Sequence, residues 1–387
     1  MIRFRWVQCQ LDQIAKLRTM RDIRAVLSNL PEGLQETYEN ILVKIDPKCV
    51  RIVRETLQWL VCDVATLTLT ELHECLAIEQ GMDGIDEEAR LSSPSDIYDL
   101  CSSLIAVTAE GEVILAHLSV KDYLLSDTIK RGKASAFAIS EPEANAENAL
   151  KCLTYLSFAE FRSGPARSPE SFGARLLEYP FLDHASKRWV SYAKNADPSL
   201  EELNNRVLEF FTPPCRPQFM SWLQVICAGP SFKARRTGKK IAIEKLKRGH
   251  SYYPKHATSL YYAASYGIEH VVQALLAQGA EVDAVGGRVG ATAFHAAALR
   301  GHLKIMDMLF QKGADPNASD YIDQTPLGSA ALVGNVEVIR YLLDHGADPN
   351  FKDDKGRTAY DWACRLGYVE AQQVLKKVTL VEEGIEK

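Results

Sequence analysis

Few residues in this sequence have the types and spacing that do chemistry, and each candidate can be held against what its chemistry needs. Gly238-Lys239-Lys240 comes nearest to a nucleotide-binding turn. Such a turn reads GxxxxGK[ST], because glycines let backbone amides close around the phosphates while the lysine and the hydroxyl hold phosphate and Mg²⁺. Here Lys233 stands where the first glycine belongs and Lys240 where the hydroxyl belongs. No nucleotide is therefore expected in this chain. Gly286-Gly287-Arg288-Val289-Gly290 lacks the preceding strand of a dinucleotide fingerprint and reads as a turn. His73-Glu74 is followed by Ala77 at the position where a zinc-binding HExxH helix needs its second histidine, and no GxSxG elbow occurs. His295 follows Thr292 at a spacing that suits holding a turn onto a helix rather than catalysis. Nine cysteines are scattered without a CxxC, the pattern of reduced, mostly buried thiols in an intracellular protein. No catalytic, cofactor-binding or metal-binding residue is nominated, and the chain is expected not to be an enzyme.

What remains is binding, and the elements that would present a binding surface are legible. Thr258, Thr292, Thr325 and Thr358 recur at intervals of 34, 33 and 33 residues, and Gly279, Gly313 and Gly346 keep the same register. Each interval carries a pair of small residues (Ala263-Ala264, Ala296-Ala297, Ala330-Ala331, Ala363-Cys364), then a glycine (Gly267, Gly301, Gly334, Gly367), then an apolar stripe such as Val336, Val338, Ile339, Leu342 and Leu343. Small residues let a short first helix pack closely, and glycine supplies the left-handed conformation that ends it. No such unit covers its own apolar face, so stacking must supply the core. The period and the run Gly313-Ala314-Asp315-Pro316-Asn317 resemble ankyrin repeats. That resemblance implies four repeats over residues 258–378, with partner specificity at the hairpin tips and first-helix ends: Tyr266, Leu299, Arg300, Tyr321, Ile322, Leu332, Val333, Lys352, Asp354, Lys355, Arg357, Arg365 and Leu366. Tyr, Ile, Leu and Arg are types that anchor interfaces. In the Thr-x-x-His position, Tyr261, Gly328 and Asp361 replace the histidine outside the second repeat.

The N-terminal half reads as helices. Leu34, Tyr38, Ile41, Leu42 and Ile45 share one face, as do Val50, Val53, Leu57, Leu60 and Val61. Thr68 and Glu71 form a capping-box pattern ahead of Leu72, Leu76 and Ile78. A short helix over 95–104 leads to strands at Ile105–Thr108 and Val113–His117 around Glu110-Gly111, and Ser119 is placed to cap a closing helix. Three helices, a hairpin and a closing helix make a winged helix-turn-helix. Phe4-Arg5-Trp6, Leu30-Pro31, Leu67-Thr68-Leu69, Cys101-Ser102-Ser103-Leu104 and His117-Leu118-Ser119-Val120-Lys121-Asp122-Tyr123-Leu124 resemble the end of the NACHT module and the GPI inositol-deacylase-type winged helix of fungal signal-transduction ATPases with repeats. The resemblance implies a remnant of NACHT helices at 1–28, a winged helix at 29–127, a helical bridge at 145–228, a basic linker at 229–257 and the repeats. It also implies a sensor or scaffold role beside an oligomerising ATPase.

Composition narrows the rest. The 387 residues are 47% hydrophobic and 25% charged, enough for two or three domains, and 45 Lys+Arg against 50 Asp+Glu give a formal charge of −5. That balance gives no general reason to bind nucleic acid. A DNA-binding winged helix is the alternative function, yet the helix that would read DNA offers Asp96 and Asp99 and no base. No apolar run approaches a membrane span, so the protein is expected in the cytoplasm with a protein partner. Lys233, Arg235, Arg236, Lys239, Lys240, Lys245, Lys247 and Arg248 crowd a segment whose acid is Glu244. It reads as a solvated linker or as a nuclear-import or phosphate-contacting patch. The fold class expected is mainly α: winged helix-turn-helix, helical bridge and ankyrin solenoid.

Overall fold

The computed structural model describes residues 33–62, 64–213, 216–228 and 256–383, together with Thr19. The readings placed on residues 1–28 and on the basic segment 233–248 lie outside the described residues. The chain is mainly helical and divides into two compact units, one built from residues up to Arg206 and one from Val207–Cys227 with Ser251–Lys387. The division falls inside the stretch read as a single bridge.

In the first unit, α1 (Leu34–Val43) buries Thr37, Tyr38 and Leu42, and α2 (Val50–Val61) buries Val53, Leu57, Trp59 and Val61. A two-residue strand β1 (Leu67–Thr68) runs directly into α3 (Leu69–Cys75). The capping box is formed: Thr68 N donates to Glu71 Oε2 at 2.7 Å and Glu71 N to Thr68 Oγ1 at 3.3 Å. After α4 (Pro94–Cys101) come β2 (Ile105–Val107) and β3 (Glu112–Leu115), turning at Gly111 with φ +80°. The sheet is antiparallel in the order β1-β3-β2, with Leu67 opposite Val113 and Ile105 opposite Leu115. The sequence pattern shows only the hairpin; β1 adds a third strand. α5 (Leu118–Leu125) is capped by His117, whose Nδ1 accepts from Ser119 N at 3.1 Å. Ser119, expected as the cap, lies inside the helix, and its Oγ meets Tyr38 Oη at 2.8 Å, joining α5 to α1.

α6 (Asp127–Arg131) is followed by α7 (Glu141–Leu156), α8 (Pro169–Glu178) and α9 (Leu182–Asn195). These are not an appendage. Trp59 of α2 packs edge-on against Phe181 at 5.5 Å and Tyr192 of α9 at 5.4 Å, and Glu55 of α2 pairs with Lys151 of α7 at 2.7 Å. Aromatic pairs of this geometry add to area burial, so winged helix and following helices share one core.

α10 (Glu201–Phe210) spans the division, and α11 (Arg216–Cys227) belongs with the repeats. The repeats are the helix pairs α12 (Ser259–Tyr266) with α13 (Glu269–Ala277), α14 (Ala293–Arg300) with α15 (Leu303–Gln311), α16 (Pro326–Val333) with α17 (Val336–Asp344), and α18 (Ala359–Leu366) with α19 (Val369–Glu383). Every first helix ends on a left-handed glycine: Gly267, Gly301, Gly334 and Gly367, with φ between 69° and 79°. α11 closes the start of the stack, where Trp222 lies 6.0 Å from Tyr262 and 5.6 Å from Tyr266.

Candidate partner-binding surface

The hairpins ahead of the third and fourth repeats are built on one plan that starts from an aspartate five residues before the threonine. Asp320 Oδ1 accepts from Ile322 N and Gln324 N, both at 2.9 Å. Asp353 Oδ1 does the same for Lys355 N and Arg357 N at 2.9 Å. Burial pushes the Asp353 carboxyl up, but the bonds from Arg357 and Lys355 outweigh it and hold it down at about 2. The hairpin ahead of the second repeat carries Gly287 in that place. A Cβ there would lie 2.8 Å from the Tyr261 ring, and one at Gly286 would lie 2.4 Å from Tyr261 Cβ. The bulky replacement for histidine in the first repeat thus sits on two glycines of the next hairpin.

Where the histidine is present it works as a clamp. Thr292 N at 3.3 Å and Thr292 Oγ1 at 2.9 Å both point to His295 Nδ1. Nδ1 is therefore the acceptor, and Nε2 donates to Gln324 O at 2.9 Å, fastening the second repeat to the third hairpin. Burial lowers the His295 pKa, which keeps the ring in this neutral form.

The tips are joined by backbone bonds in a repeating register. Tyr321 N donates to Val289 O at 2.8 Å and Asp354 N to Ile322 O at 3.1 Å. Side chains at successive tips are consequently held in a row. Tyr321 is 75% exposed and Ile322 44%. The Tyr321 ring also lies over Gly290, where an added Cβ would come within 2.4 Å of it.

The thirteen expected contact residues divide. Leu299, Arg300, Tyr321, Ile322, Val333, Lys352, Asp354, Lys355, Arg365 and Leu366 are exposed, and Leu332 is half-buried. Tyr266 is not a free anchor: it faces Trp222, and burial pushes its phenol up to about 12. Arg357 is committed to Asp353, with Nη2 to Oδ2 at 2.8 Å, and its guanidinium stacks 3.9 Å over Trp362. Sequence reasoning missed Val285 and Val289, which are exposed in the second hairpin. The glycine-rich context made that hairpin read as turn alone, although its phase relative to Thr292 matches that of Ile322 to Thr325.

The residues weighed for catalysis have partners within the fold. His73 Nε2 meets Leu91 O at 2.7 Å, and Glu74 is buried. Cys62 and Cys101 are pushed up to about 12 by burial, and burial also raises the Cys75 and Cys152 thiols well above their usual value. Among the described residues, no group of three or more His, Cys, Asp or Glu could hold a metal ion, and no helix is long and apolar enough to cross a membrane. On α4, Asp96 Oδ2 accepts from Ser93 N at 2.8 Å and Asp99 is exposed.

Comparison with known proteins agrees with the architecture. Residues 260–310, 294–343 and 321–382 match ankyrin repeats, and residues 38–140 match the winged helix domain of GPI inositol-deacylase. The chain is 30% identical over 320 residues to the azaphilone pigments biosynthesis cluster protein L of Monascus ruber, covering 77% of this chain and 63% of that protein. It is 41% identical over 63 residues to the palmitoyltransferase Hip14 of Drosophila melanogaster, covering 16% of this chain and 10% of that protein. The chain thus spans less than two thirds of the length of the relatives it matches.

Proposed function

We propose that the chain is a non-catalytic scaffold whose ankyrin surface holds a protein partner, and that it serves as the sensor portion of a signalling NTPase. The observation that carries the reading is the exposed pair Tyr321 and Ile322 on a tip bonded to both neighbouring hairpins. An exposed aromatic beside an aliphatic on a rigid support has little ordering cost left on binding. The sensor role is supported by the winged helix that accompanies the repeats in one chain. A non-enzymatic role is supported by the structural duties of His73, Glu74 and His295. The chain acts in the cytoplasm, and the basic segment 233–248 would suit nuclear import.

The test is affinity purification with mass spectrometry on the full chain and on Tyr321→Ala/Ile322→Ala. The double variant loses the wild-type partner while melting nearly unchanged; retained capture would place the surface elsewhere. Isothermal titration with ATP and GTP on the same preparation should show no micromolar site.

A further inference from the structure

Two series of side chains run along the array in register and change character together. At equivalent tip positions stand Val289, Ile322 and Lys355; at equivalent first-helix ends stand Leu299, Leu332 and Arg365. Each series is apolar in the second and third repeats and cationic in the fourth. The tips are spaced by the backbone bonds from Tyr321 to Val289 and from Asp354 to Ile322, so the series follow one line.

The cationic end has a built corner. Lys355 N donates to Asp353 Oδ1 at 2.9 Å, and the other oxygen of that carboxylate accepts from Trp362 Nε1 at 3.1 Å. The Arg365 guanidinium lies 5.9 Å from the centre of the same indole. Asp353 is saturated by Arg357, so its charge does not cancel Lys355 or Arg365. Asp361 Oδ2 is turned to Thr358 N and Oγ1, both at 2.9 Å. Asp354 is exposed beside Lys355. Neither Lys355 nor Arg365 forms an ion pair with a described carboxylate.

We propose that this surface takes a linear segment of the partner with bulky apolar side chains at one end and carboxylates at the other. The apolar part covers Val289, Ile322 and Leu299, and the acidic part reaches Lys355 and Arg365. Charge complementarity with Lys355 and Arg365 disfavours basic competitors, and Arg300, exposed beside Leu299, adds a further cation to the same surface. The inference rests on the reading that the repeats bind a protein, and it names the chemistry of what they bind.

Random peptides displayed on phage are panned against the full chain, and in parallel against Lys355→Glu/Arg365→Glu; enriched sequences are then labelled and titrated by fluorescence anisotropy. The expected sequences join bulky apolar residues to a run of Asp or Glu. The charge-reversed variant, which changes two exposed side chains and should melt as wild type, weakens them by about tenfold or more and selects basic peptides instead. Raising the salt to about 0.5 M, where screening acts within about 4 Å, also weakens them. Sequences without acidic preference, indifference to the charge reversal, or binding only by phosphorylated peptides would overturn the proposal, as would the absence of any enriched peptide. In each of these cases, partner capture that still depends on Tyr321 and Ile322 keeps the protein-binding reading; loss of that dependence removes it as well.

Discussion

Tyr155 donates its hydroxyl proton to Glu74 Oε1 at 2.8 Å inside the first unit, where Glu74 is only 1% exposed. The other carboxylate oxygen accepts from Phe181 N at 3.1 Å, and Arg90 approaches Oε1 at 3.6 Å. One carboxylate of α3 thus gathers α7, the start of α9 and the loop that precedes α4. Burial, then the charge of Glu74, raises the Tyr155 pKa well above its usual value. Tyr155→Phe should lower stability by about 1–3 kcal/mol, because a buried acceptor loses its donor. Glu74→Ala should cost more, about 2–4 kcal/mol, since it leaves the buried Tyr155 hydroxyl and the Phe181 amide without their acceptor, while Arg90 keeps Glu87 at 3.2 Å. Urea unfolding followed by tryptophan fluorescence reads both; a Tyr155→Phe variant as stable as wild type would mean that the network contributes nothing.

His184 lies in the same core, stacked on Phe181 at 5.4 Å with Nε2 3.0 Å from Tyr192 Oη. Burial, assisted by the Arg188 charge, lowers its pKa from 6.5 to about 3. The folded value lies below the unfolded one, so the stability this ring contributes is present above pH 6.5 and drains away as pH falls toward 3. Between ~pH 7 and ~pH 5 the loss should be on the order of 2 kcal/mol. His184→Gln, which cannot titrate, should flatten the pH dependence of melting over that interval; an unchanged slope would remove His184 as its source.

A third expectation concerns where the repeat array begins. The sequence places its start at Thr258, but Phe219 and Trp222 of α11 both lie 6.0 Å from Tyr262, which is 7% exposed. A fragment starting at residue 207 should therefore melt well above one starting at 258. Trp222→Ala in the full chain should cost about 3–5 kcal/mol. Equal melting of the two fragments would show that the first repeat needs no cover.

Asp323 adopts φ +53° at the turn position where the neighbouring hairpins carry Gly290 and Gly356. Asp323→Gly should raise stability by up to about 1 kcal/mol, relief of strain being partly offset by a freer unfolded chain; Asp323→Val should lower it by about 1–2 kcal/mol. Calorimetry on the three proteins ranks them, and a stabilised valine variant would sink the argument.

The repeats and most helices were legible in the sequence because they rest on local chemistry that recurs in phase: threonine caps, paired small residues, glycine stops. The capping box at Thr68 and Glu71 is likewise written in four adjacent residues. β1 was not legible, since Leu67 pairs with Val113 forty-odd positions away and Thr68 serves both the strand and the helix cap. His117 replaced Ser119 as the cap because the helix starts at Leu118, earlier than the apolar pattern places it, so Ser119 falls inside the first turn and its own amide donates to the His117 ring. Tyr266 and Arg357 look like surface anchors in one dimension; what removes them, Trp222 and Asp353, is set by tertiary packing and by a carboxylate already claimed by its own turn. The row of exposed tips was only partly visible, because Val289 sits in a glycine-rich run whose register against Thr292 had to be counted.

The seat of Tyr261 on Gly286 and Gly287 bears on how this array can change over generations. In an array whose repeats contact only their neighbours, removing one repeat brings the two beside it together, which is harmless only if the repeats are interchangeable. Here they are not. Loss of the second repeat with its hairpin would bring Tyr261 against the hairpin that carries Ser319 and Asp320, with side chains where the aromatic ring has no room for a Cβ. The first repeat and the hairpin after it must be inherited together, so a viable recombination breakpoint falls after Thr292 rather than between them.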